Sequence, residues 1–522
     1  MPQETISSLV PVFIILIPLL AGVAVFLSGI KVSKVFSREY DGLLDVDGET
    51  APPQGNLLRV GVLLGATLAS LILSLSLYPA VKAGLVVVSR IDILPPLGLF
   101  LRVDILSFYM VLLFSFFGFI LTLYSIGYMK GDTMPQRFFG FLMLVFAGSL
   151  GVVLGGDLFS FFLFFEFMSI MYFVLVVHDP KPTAVAAGMK FLFMTIMAGV
   201  ALFLGTVIVF RETGSMALSE TGLFSGVTTY SLIAFIAFMV AFGTKTAMFP
   251  LHIWMPDTYT HAPLPAAVVS SAIMLKTGAY GFIRVFYNVF GVEFFQAVRW
   301  DDVVLVISLF TIVFGSAIAI AQDDIIRRLA YSGIAQLGYI ILGIVILTPT
   351  ALTGSTFHIM AHAFMKGCLF LCAGSIIMQT GNRSIRLMKG IGYQLPLTML
   401  AFAVAAITAV GMPPFNIFIT KWHLSIGALE IGQPVIILFL LVSSMLNAAY
   451  YLPIAYHAFL GSEDEAHGGH GYHPEFKRSA FREPTAAMLV PILILMVGCA
   501  IFGFFTQNWP LEIVRSVVAM LY

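Results

Sequence analysis

The feature that most constrains the fold is a long series of apolar segments, each about as long as a bilayer is thick. A helix needs about 20 mainly apolar residues to cross the hydrocarbon core. Of the 522 residues, 59% are hydrophobic and only 10% are charged, whereas a soluble domain carries roughly 25% charged residues. The sequence therefore predicts an all-α polytopic membrane protein with about fourteen transmembrane helices. The predicted spans are 9–29, 57–79, 104–124, 138–154, 157–177, 184–210, 230–256, 265–290, 302–321, 330–347, 354–378, 396–425, 432–460 and 486–507.

Charge and cysteine content exclude several classes of function. The 27 basic and 27 acidic residues balance, so nothing indicates a nucleic-acid partner. Cys368, Cys372 and Cys499 lie in apolar runs without further metal ligands at useful spacing, and packing is their expected role. The sequence therefore predicts neither a cofactor nor a metal site.

The distribution of lysine and arginine predicts the orientation of the chain. Loops on the cytoplasmic side carry an excess of these residues. Placing the N-terminus outside puts most loop lysines and arginines inside, among them Arg327, Arg328 and Arg383. An even number of spans then places the C-terminus outside as well. The predicted location is the inner (plasma) membrane, with the first span read as a retained helix and not a signal peptide.

Two polar segments, 37–56 and 461–484, are too rich in charge, Gly and Pro to be buried in the membrane. The second contains His467, His470 and His473, which leaves two interpretations open. The three histidines are either part of a hydrated loop or ligands of a metal ion. The loop is favoured because no rigid framework sets ligand geometry there.

Ionisable residues inside the spans carry the functional information. A charge at the centre of a bilayer costs about 2.5–3.5 kcal/mol on insertion scales, so each such residue predicts a functional site. Lys190 and Arg284 lie nearer the ends of their spans, where snorkelling to the headgroups explains them. The residues deeper in the spans are Asp157, Glu166, Lys245, Lys276, His358, His362, Lys366 and Lys421.

Two of these lysines lie beside prolines that are expected to break their helices. Pro250 follows Lys245, and Pro413-Pro414 precedes Lys421. Proline removes a backbone hydrogen bond, and broken helices in membranes line hydrated cavities or contact protein. Breaks in matching positions of two halves are typical of transporters built from structural repeats. The order of lysine and proline differs between the two segments.

His358, His362 and Lys366 are spaced to share one helical face, which predicts a proton path, because histidine changes charge near neutral pH. Hydrogen-bonded core histidines are the alternative. Glu166 is predicted to pair with a buried lysine, and burial and pairing then act in opposite directions on the protonation of both groups. A static ion pair that joins two helices is the alternative there.

Several long segments resemble the antiporter-like core shared by respiratory complex I, Mrp cation/proton antiporters and membrane-bound hydrogenases. The family resemblance implies fourteen helices, two inverted five-helix repeats, broken helices 7 and 12, and two half-channels joined by a central line of charges. Implied boundaries are 1–130 for helices 1–3, 131–291 and 292–460 for the repeats, and 461–522 for the polar loop and last helix. The matching segments are TKTAMFPLHIWMPDTYTHAPLPAAVVSSAIMLKTGAYGFIR, QDDIIRRLAYSGIAQLGYI, FHIMAHAFMKGCLFLCAGSI and GMPPFNIFITKWHLSIGALEIG.

The resemblance also assigns roles to residues. It maps the family's glutamate to Glu166, its broken-helix lysine to Lys245, and its bridging lysine to Lys276. The family places the first two in facing helices, so Glu166 and Lys245 are predicted to form a coupled pair. It maps the histidines of helix 11 to His358 and His362, and the terminal residue to Lys421. One branch of complex I has glutamate at that last position, so the lysine here is closer to the Mrp D-type protein and its relatives in hydrogenases and sulfur-reducing complexes.

The expected function is a proton-translocating subunit of a multisubunit ion-pumping complex, with Na⁺ exchange left open. Its partners would be other membrane subunits, protons and the lipid bilayer, and any redox chemistry would belong to those subunits. A stand-alone secondary transporter of a small solute is the alternative. A structural scaffold is disfavoured because it gains little from buried lysines, and a quinone-site or hydrogen-evolving enzyme lacks a supporting motif.

Overall fold

A computed structural model of the chain describes residues 4–29, 53–94, 97–219, 222–224, 226–460, 482–506 and 510–522. Most of the two predicted polar segments lies outside these residues, and so do His467, His470 and His473. Within the described ranges, twelve helices are long and apolar enough to cross a membrane, and two shorter apolar helices accompany them. The predicted all-α membrane fold is therefore confirmed, while the count of fourteen spans stays a prediction.

The helices of the first half are α1 Val10–Ser28, α2 Pro53–Ser76, α3 Tyr78–Lys82, α4 Ile105–Tyr128, α5 Pro135–Leu154, α6 Leu158–Val176, α7 Pro182–Thr213, α8 Thr229–Lys245, α9 Met255–His261, α10 Leu264–Val269 and α11 Leu275–Ile283. Two π-helical segments, Ser270–Met274 and Arg284–Phe290, extend α11 on either side. The helices of the second half are α12 Val292–Val298, α13 Asp301–Ala321, α14 Ile325–Val345, α15 Pro349–Thr380, α16 Pro396–Val410, α17 Asn416–Glu430, α18 Val435–Leu460, α19 Ala486–Phe504 and α20 Leu511–Leu521.

Two spans are broken where the prolines predict it. The helix α8 ends at Lys245, and the chain does not become helical again until Met255. In the second case α16 ends at Val410 and α17 begins at Asn416. Proline cannot donate a backbone hydrogen bond and clashes with the preceding turn, so neither segment continues as one helix.

Element boundaries recur along the chain at a constant distance of 167 residues. The helices α7 and α15 are each 32 residues long, start at a proline and end before a glycine in the left-handed conformation. The helices α6 and α14 both begin after an aspartate whose side chain accepts backbone N–H bonds. This recurrence supports the expected repeats, and their inverted relation stays a prediction. The matching pairs are Leu154 and Ala321, Asp157 and Asp324, Leu158 and Ile325, Pro182 and Pro349, and Gly214 and Gly381.

A small β-sheet lies at one end of the bundle and was not predicted from the sequence. It consists of β1 Thr5–Ser7, β2 Val86–Leu94 and β3 Leu97–Val103, in the order β1-β2-β3. The strand β2 pairs parallel with β1 and antiparallel with β3. Its valine-rich start suits a strand, but the segment is too short to span a membrane and therefore gives no signal of a transmembrane helix.

The C-terminal helix α20 was also not predicted. It buries Leu511, Val514, Val517 and Leu521 on one face and packs against α15 and α4. At 11 residues it is too short to cross a bilayer. Its apolar residues recur every three or four positions, which is the pattern of an amphipathic helix.

Two sequence interpretations were wrong. Asp157 does not lie inside a span, because it is the N-cap of α6, where its side chain accepts a 2.6 Å bond from the Ser160 amide. Arg284 does not snorkel to a headgroup, because it is only 2% exposed and lies 2.7 Å from Asp104. Asp104 caps the start of α4 and also lies 3.4 Å from Arg102. Arg284 is therefore part of a buried ion pair.

We expect Asp104→Asn to destabilise the protein by about 3–5 kcal/mol, because it leaves the Arg284 charge buried and uncompensated. Thermal unfolding of the purified protein, followed by loss of monodisperse material, measures this loss. The matched control is Asp179→Asn, which removes an exposed ion pair with Lys181 and should change stability little. Equal melting temperatures for wild type and Asp104→Asn would contradict the structural role of the pair.

Candidate functional site: a buried line of ionisable side chains

Glu166 lies half-buried on α6, and its carboxylate fits against a glycine of the next helix. A Cβ atom placed on Gly199 of α7 would lie only 1.8 Å from Glu166 Oε1. The carboxylate therefore occupies space that any other residue at position 199 would fill. Oε1 makes no hydrogen bond within the described part of the chain.

Lys245 is the last residue of α8 and is 2% exposed. Its ammonium donates a 2.6 Å hydrogen bond to Ser169 Oγ and lies 4.5 Å from the centre of the Phe165 ring. Ser169 is one helical turn from Glu166 on α6, so carboxylate and ammonium approach the same stretch of that helix. Among the described residues, no ion pair within 4.0 Å joins Glu166 and Lys245, and their coupling stays a prediction.

A group of neutral hydroxyls meets at Ser270, next to the residue whose carbonyl binds Lys276. The Tyr259 hydroxyl donates a 3.0 Å bond to Ser270 Oγ. The Tyr172 hydroxyl approaches the same serine without completing a hydrogen bond. Sequence reasoning missed these residues, because neutral side chains in apolar spans give no charge signal.

Lys276 connects this group to the histidines. Its ammonium lies 2.8 Å from His362 Nδ1 and also donates to the Ser271 carbonyl. That carbonyl belongs to the π-helical segment that precedes α11, and π-helical turns are frequent at functional sites. Lys276 is fully buried.

The two predicted histidines stack on α15, and the line continues from them to the second broken helix. The rings of His358 and His362 are 5.8 Å apart and nearly parallel. The Tyr339 ring lies 5.7 Å from the His358 ring, and the Lys421 ammonium lies 5.5 Å from the centre of that tyrosine ring. Tyr339 was not predicted, since it too is neutral.

Lys421 and Lys245 each donate to a serine hydroxyl, although the order of lysine and proline differs. The Lys421 ammonium donates 2.6 Å to Ser444 Oγ and 2.7 Å to the carbonyl of Val410, the last residue of α16. It thus lies at the carboxyl end of a half-helix, where the macrodipole and free carbonyls favour a cation. Lys245 is itself the last residue of α8, and its ammonium reaches across to Ser169 of α6.

Lys366 shares the helix of the histidines but points to other partners. Its ammonium donates 2.8 Å bonds to the Leu329 carbonyl and the Tyr451 hydroxyl, and a further bond to Ser332 Oγ. These partners belong to α14 and α18. The predicted stripe therefore divides, with the two histidines on the central line and Lys366 on a branch beside it.

Many buried polar atoms along this line have no hydrogen bond within the described residues. In most proteins nearly all buried polar atoms are bonded, and such sites are places where buried water binds. The described residues contain no group of three His, Cys, Asp or Glu placed to hold a metal ion. The atoms are Glu166 Oε1, Tyr172 OH, Tyr339 OH, His358 Nδ1 and Nε2, His362 Nε2, and both side-chain atoms of Gln336.

Comparisons with known proteins identify the family and the fold. Residues 155–447 match a family model described as NADH:quinone oxidoreductase/Mrp antiporter, TM. Residues 96–139 match one described as NADH-ubiquinone oxidoreductase (complex I), chain 5 N-terminus. NADH-quinone oxidoreductase subunit N of Desulforudis audaxviator is 34% identical over 436 residues, or 81% of this chain and 85% of that protein.

Two further similarities extend the comparison. The D-type component of the Na⁺/H⁺ antiporter of Bacillus subtilis is 25% identical over 415 residues, or 79% of this chain and 81% of that protein. A chain of the Mrp complex from Dietzia sp. DQ12-45-1b has the same fold, with a TM-score of 0.82 and 24% identity over 98% of this chain and 97% of that chain.

We expect Gly199→Ala to displace the Glu166 carboxylate, because the added methyl group would overlap Oε1. The displaced carboxylate no longer packs against α7 and becomes more accessible to reagents. A membrane-permeant carbodiimide should therefore modify Glu166 faster, as measured by mass spectrometry. Gly61→Ala is the matched control, because a Cβ there meets nothing within 4 Å. Identical modification rates in all three proteins would show that Gly199 does not position the carboxylate.

Proposed function

Because the chain belongs to the family of NADH:quinone oxidoreductase and Mrp antiporter membrane subunits, as the resemblance in its sequence predicted, we propose that it is a proton-translocating subunit of a multisubunit ion-pumping complex. The observation that carries this proposal is the Lys276–His362 hydrogen bond of 2.8 Å. It joins α11, in the span after the first broken helix, to α15, in the span before the second. Two ionisable groups in direct contact within an apolar bundle are suited to passing a proton.

The proposed path begins at Glu166 and Lys245 and ends at Lys421. Protons reach Lys245 through one half-channel and Lys421 through another, and Lys276, His362 and His358 connect the two. The neutral hydroxyls that meet at Ser270 donate and accept hydrogen bonds, so they complete the path with water. Lys366 exchanges protons with the central line from its site beside α14 and α18.

We also propose the boundaries of the repeats and the orientation of the chain in the membrane. The first repeat comprises residues 131–291 and the second 292–460, preceded by 1–130 and followed by 461–522. Both termini lie outside the inner (plasma) membrane. Partner subunits supply the energy, and exchange for Na⁺ is the alternative form of coupling, since a component of a Na⁺/H⁺ antiporter is among the relatives.

A stand-alone secondary transporter of a small solute is the second candidate function. The two broken helices are its supporting observation, because the ends of half-helices bind substrates and ions in transporters. Reconstitution separates the two candidates. Solute uptake by the purified chain alone supports the second, and proton movement that requires partner subunits supports the first.

We expect Lys245→Ala and Lys421→Ala each to reduce proton translocation to background while the complex still assembles. Each removes a buried ammonium that only neutral oxygens hold within hydrogen-bond distance, so little structure depends on it. Proton movement in inverted membrane vesicles, with the amount of assembled complex as reference, measures the effect. Lys181→Ala, at an exposed lysine, is the control and should keep wild-type rates. Wild-type translocation by both buried variants would exclude the proposed path.

We further expect Glu166→Gln and Lys245→Ala to be strongly non-additive. If the two groups form one switch, removal of either disables it and the second change adds little, with a coupling of about 0.5–3 kcal/mol in the transport barrier. The readout is the translocation rate of both single variants and the double variant. Because Ser169 binds the lysine and lies a turn from the glutamate, Ser169→Ala should weaken the coupling. Strict additivity would show that the two residues act independently.

A further inference from the structure

An apolar groove opens on the membrane-facing surface between α2 and α19. Both helices pack against α4 and leave a cavity of about 450 Å³ between them. Tyr109, Met360 and Phe364 form its buried floor, whereas Leu75 and Val497 are exposed at its rim. Nearly all of its lining is apolar, so hydrocarbon is the favoured occupant.

The groove is about as long as one lipid leaflet is thick. On α19 its lining runs from Ile494 to Phe502, which is roughly 12 Å along the helix at 1.5 Å per residue. Half of a hydrocarbon core measures about 15 Å. At the helix ends, Pro510 and Ile513 beside α20 close it. A partner helix that continued out of the membrane would meet α20 there, whereas an acyl chain ends at this level.

A polar cavity of about 470 Å³ adjoins the groove at this closed end, and Ile513 lines both. Lys82, Asp104, Glu512 and Ser516 contribute its polar groups. The negative charge of Asp104 is already neutralised by Arg284. Lys82 and Glu512 form no ion pair within 4.0 Å in the described ranges, so this cavity presents one positive and one negative charge to a ligand.

We propose that the two cavities together bind one phospholipid whose headgroup carries a primary ammonium, of the phosphatidylethanolamine class. One acyl chain lies in the apolar groove, the phosphate contacts Lys82, and the ammonium contacts Glu512. An anionic headgroup would leave Glu512 facing a like charge. A choline headgroup has no N–H group to donate to the carboxylate. The bound lipid fills the gap that α2 and α19 leave on α4.

The test uses the protein purified with its native partner subunits and exchanged into nanodiscs of equal parts phosphatidylethanolamine, phosphatidylcholine and phosphatidylglycerol. After transfer to detergent and extensive washing, mass spectrometry counts the lipids retained per complex. Wild type should retain phosphatidylethanolamine above its share of the mixture. Val497→Trp and Leu75→Trp, which fill the groove, should each lose one molecule. Val200→Trp on the exposed face of α7 is the matched control and should lose none.

Two further variants test the contacts with the headgroup. Glu512→Gln should abolish the preference for phosphatidylethanolamine over phosphatidylcholine, and Lys82→Gln should lower retention of both. Retention without headgroup preference in wild type, or an unchanged preference in Glu512→Gln, would overturn the headgroup assignment. Equal retention by wild type and both tryptophan variants would overturn the site itself. So would retention of no lipid by the wild-type complex, which is the result expected if a partner subunit fills the groove.

Discussion

The need to hold ammonium groups inside an apolar bundle governs the rest of this structure. A buried charge in a medium of low polarity is stable only when hydrogen-bonded or paired. In this chain four buried lysines meet that need with neutral oxygens from serine, tyrosine or backbone carbonyls, and none has a carboxylate within ion-pair distance in the described residues. The lysines are Lys245, Lys276, Lys366 and Lys421.

Two of the three backbone carbonyls that bind these lysines come from irregular backbone. The carbonyl that binds Lys421 lies at the end of a broken helix, and the one that binds Lys276 lies in a π-helical segment. The third, that of Leu329, lies within α14 and binds Lys366 through the second lone pair of its oxygen. Buried Arg284 has a carboxylate partner at 2.7 Å. It joins α4 to the helix of Lys276 by a fixed ion pair, whereas neutral ligands let a lysine gain or lose its proton at smaller cost.

The sequence could predict what depends on charge, length and proline. The spans, the two breaks and the titratable residues of the central line all have such a signal, and the comparisons establish the family that the motifs indicate. The sequence could not predict uncharged residues of the site or directions that depend on how the helices pack. An uncharged tyrosine or serine in an apolar helix gives no sign of a functional role, which is the case for Tyr172, Ser169 and Tyr339. The direction of the Lys366 side chain depends on which helices surround α15. The β-sheet and α20 were missed because neither is long enough to register as a span.

The 167-residue recurrence relates the glycine beside Glu166 to a second contact. At that offset Glu166 and Gly199 correspond to Gly333 and Lys366, and a Cβ on Gly333 would lie 3.9 Å from Lys366 Cε. In both cases a glycine on one helix faces a long ionisable side chain on another, but only the first contact requires the glycine. A Cβ on Gly199 would overlap the carboxylate, whereas 3.9 Å is an ordinary van der Waals distance. The shape of the neighbouring helix therefore restricts the glutamate more closely than the lysine.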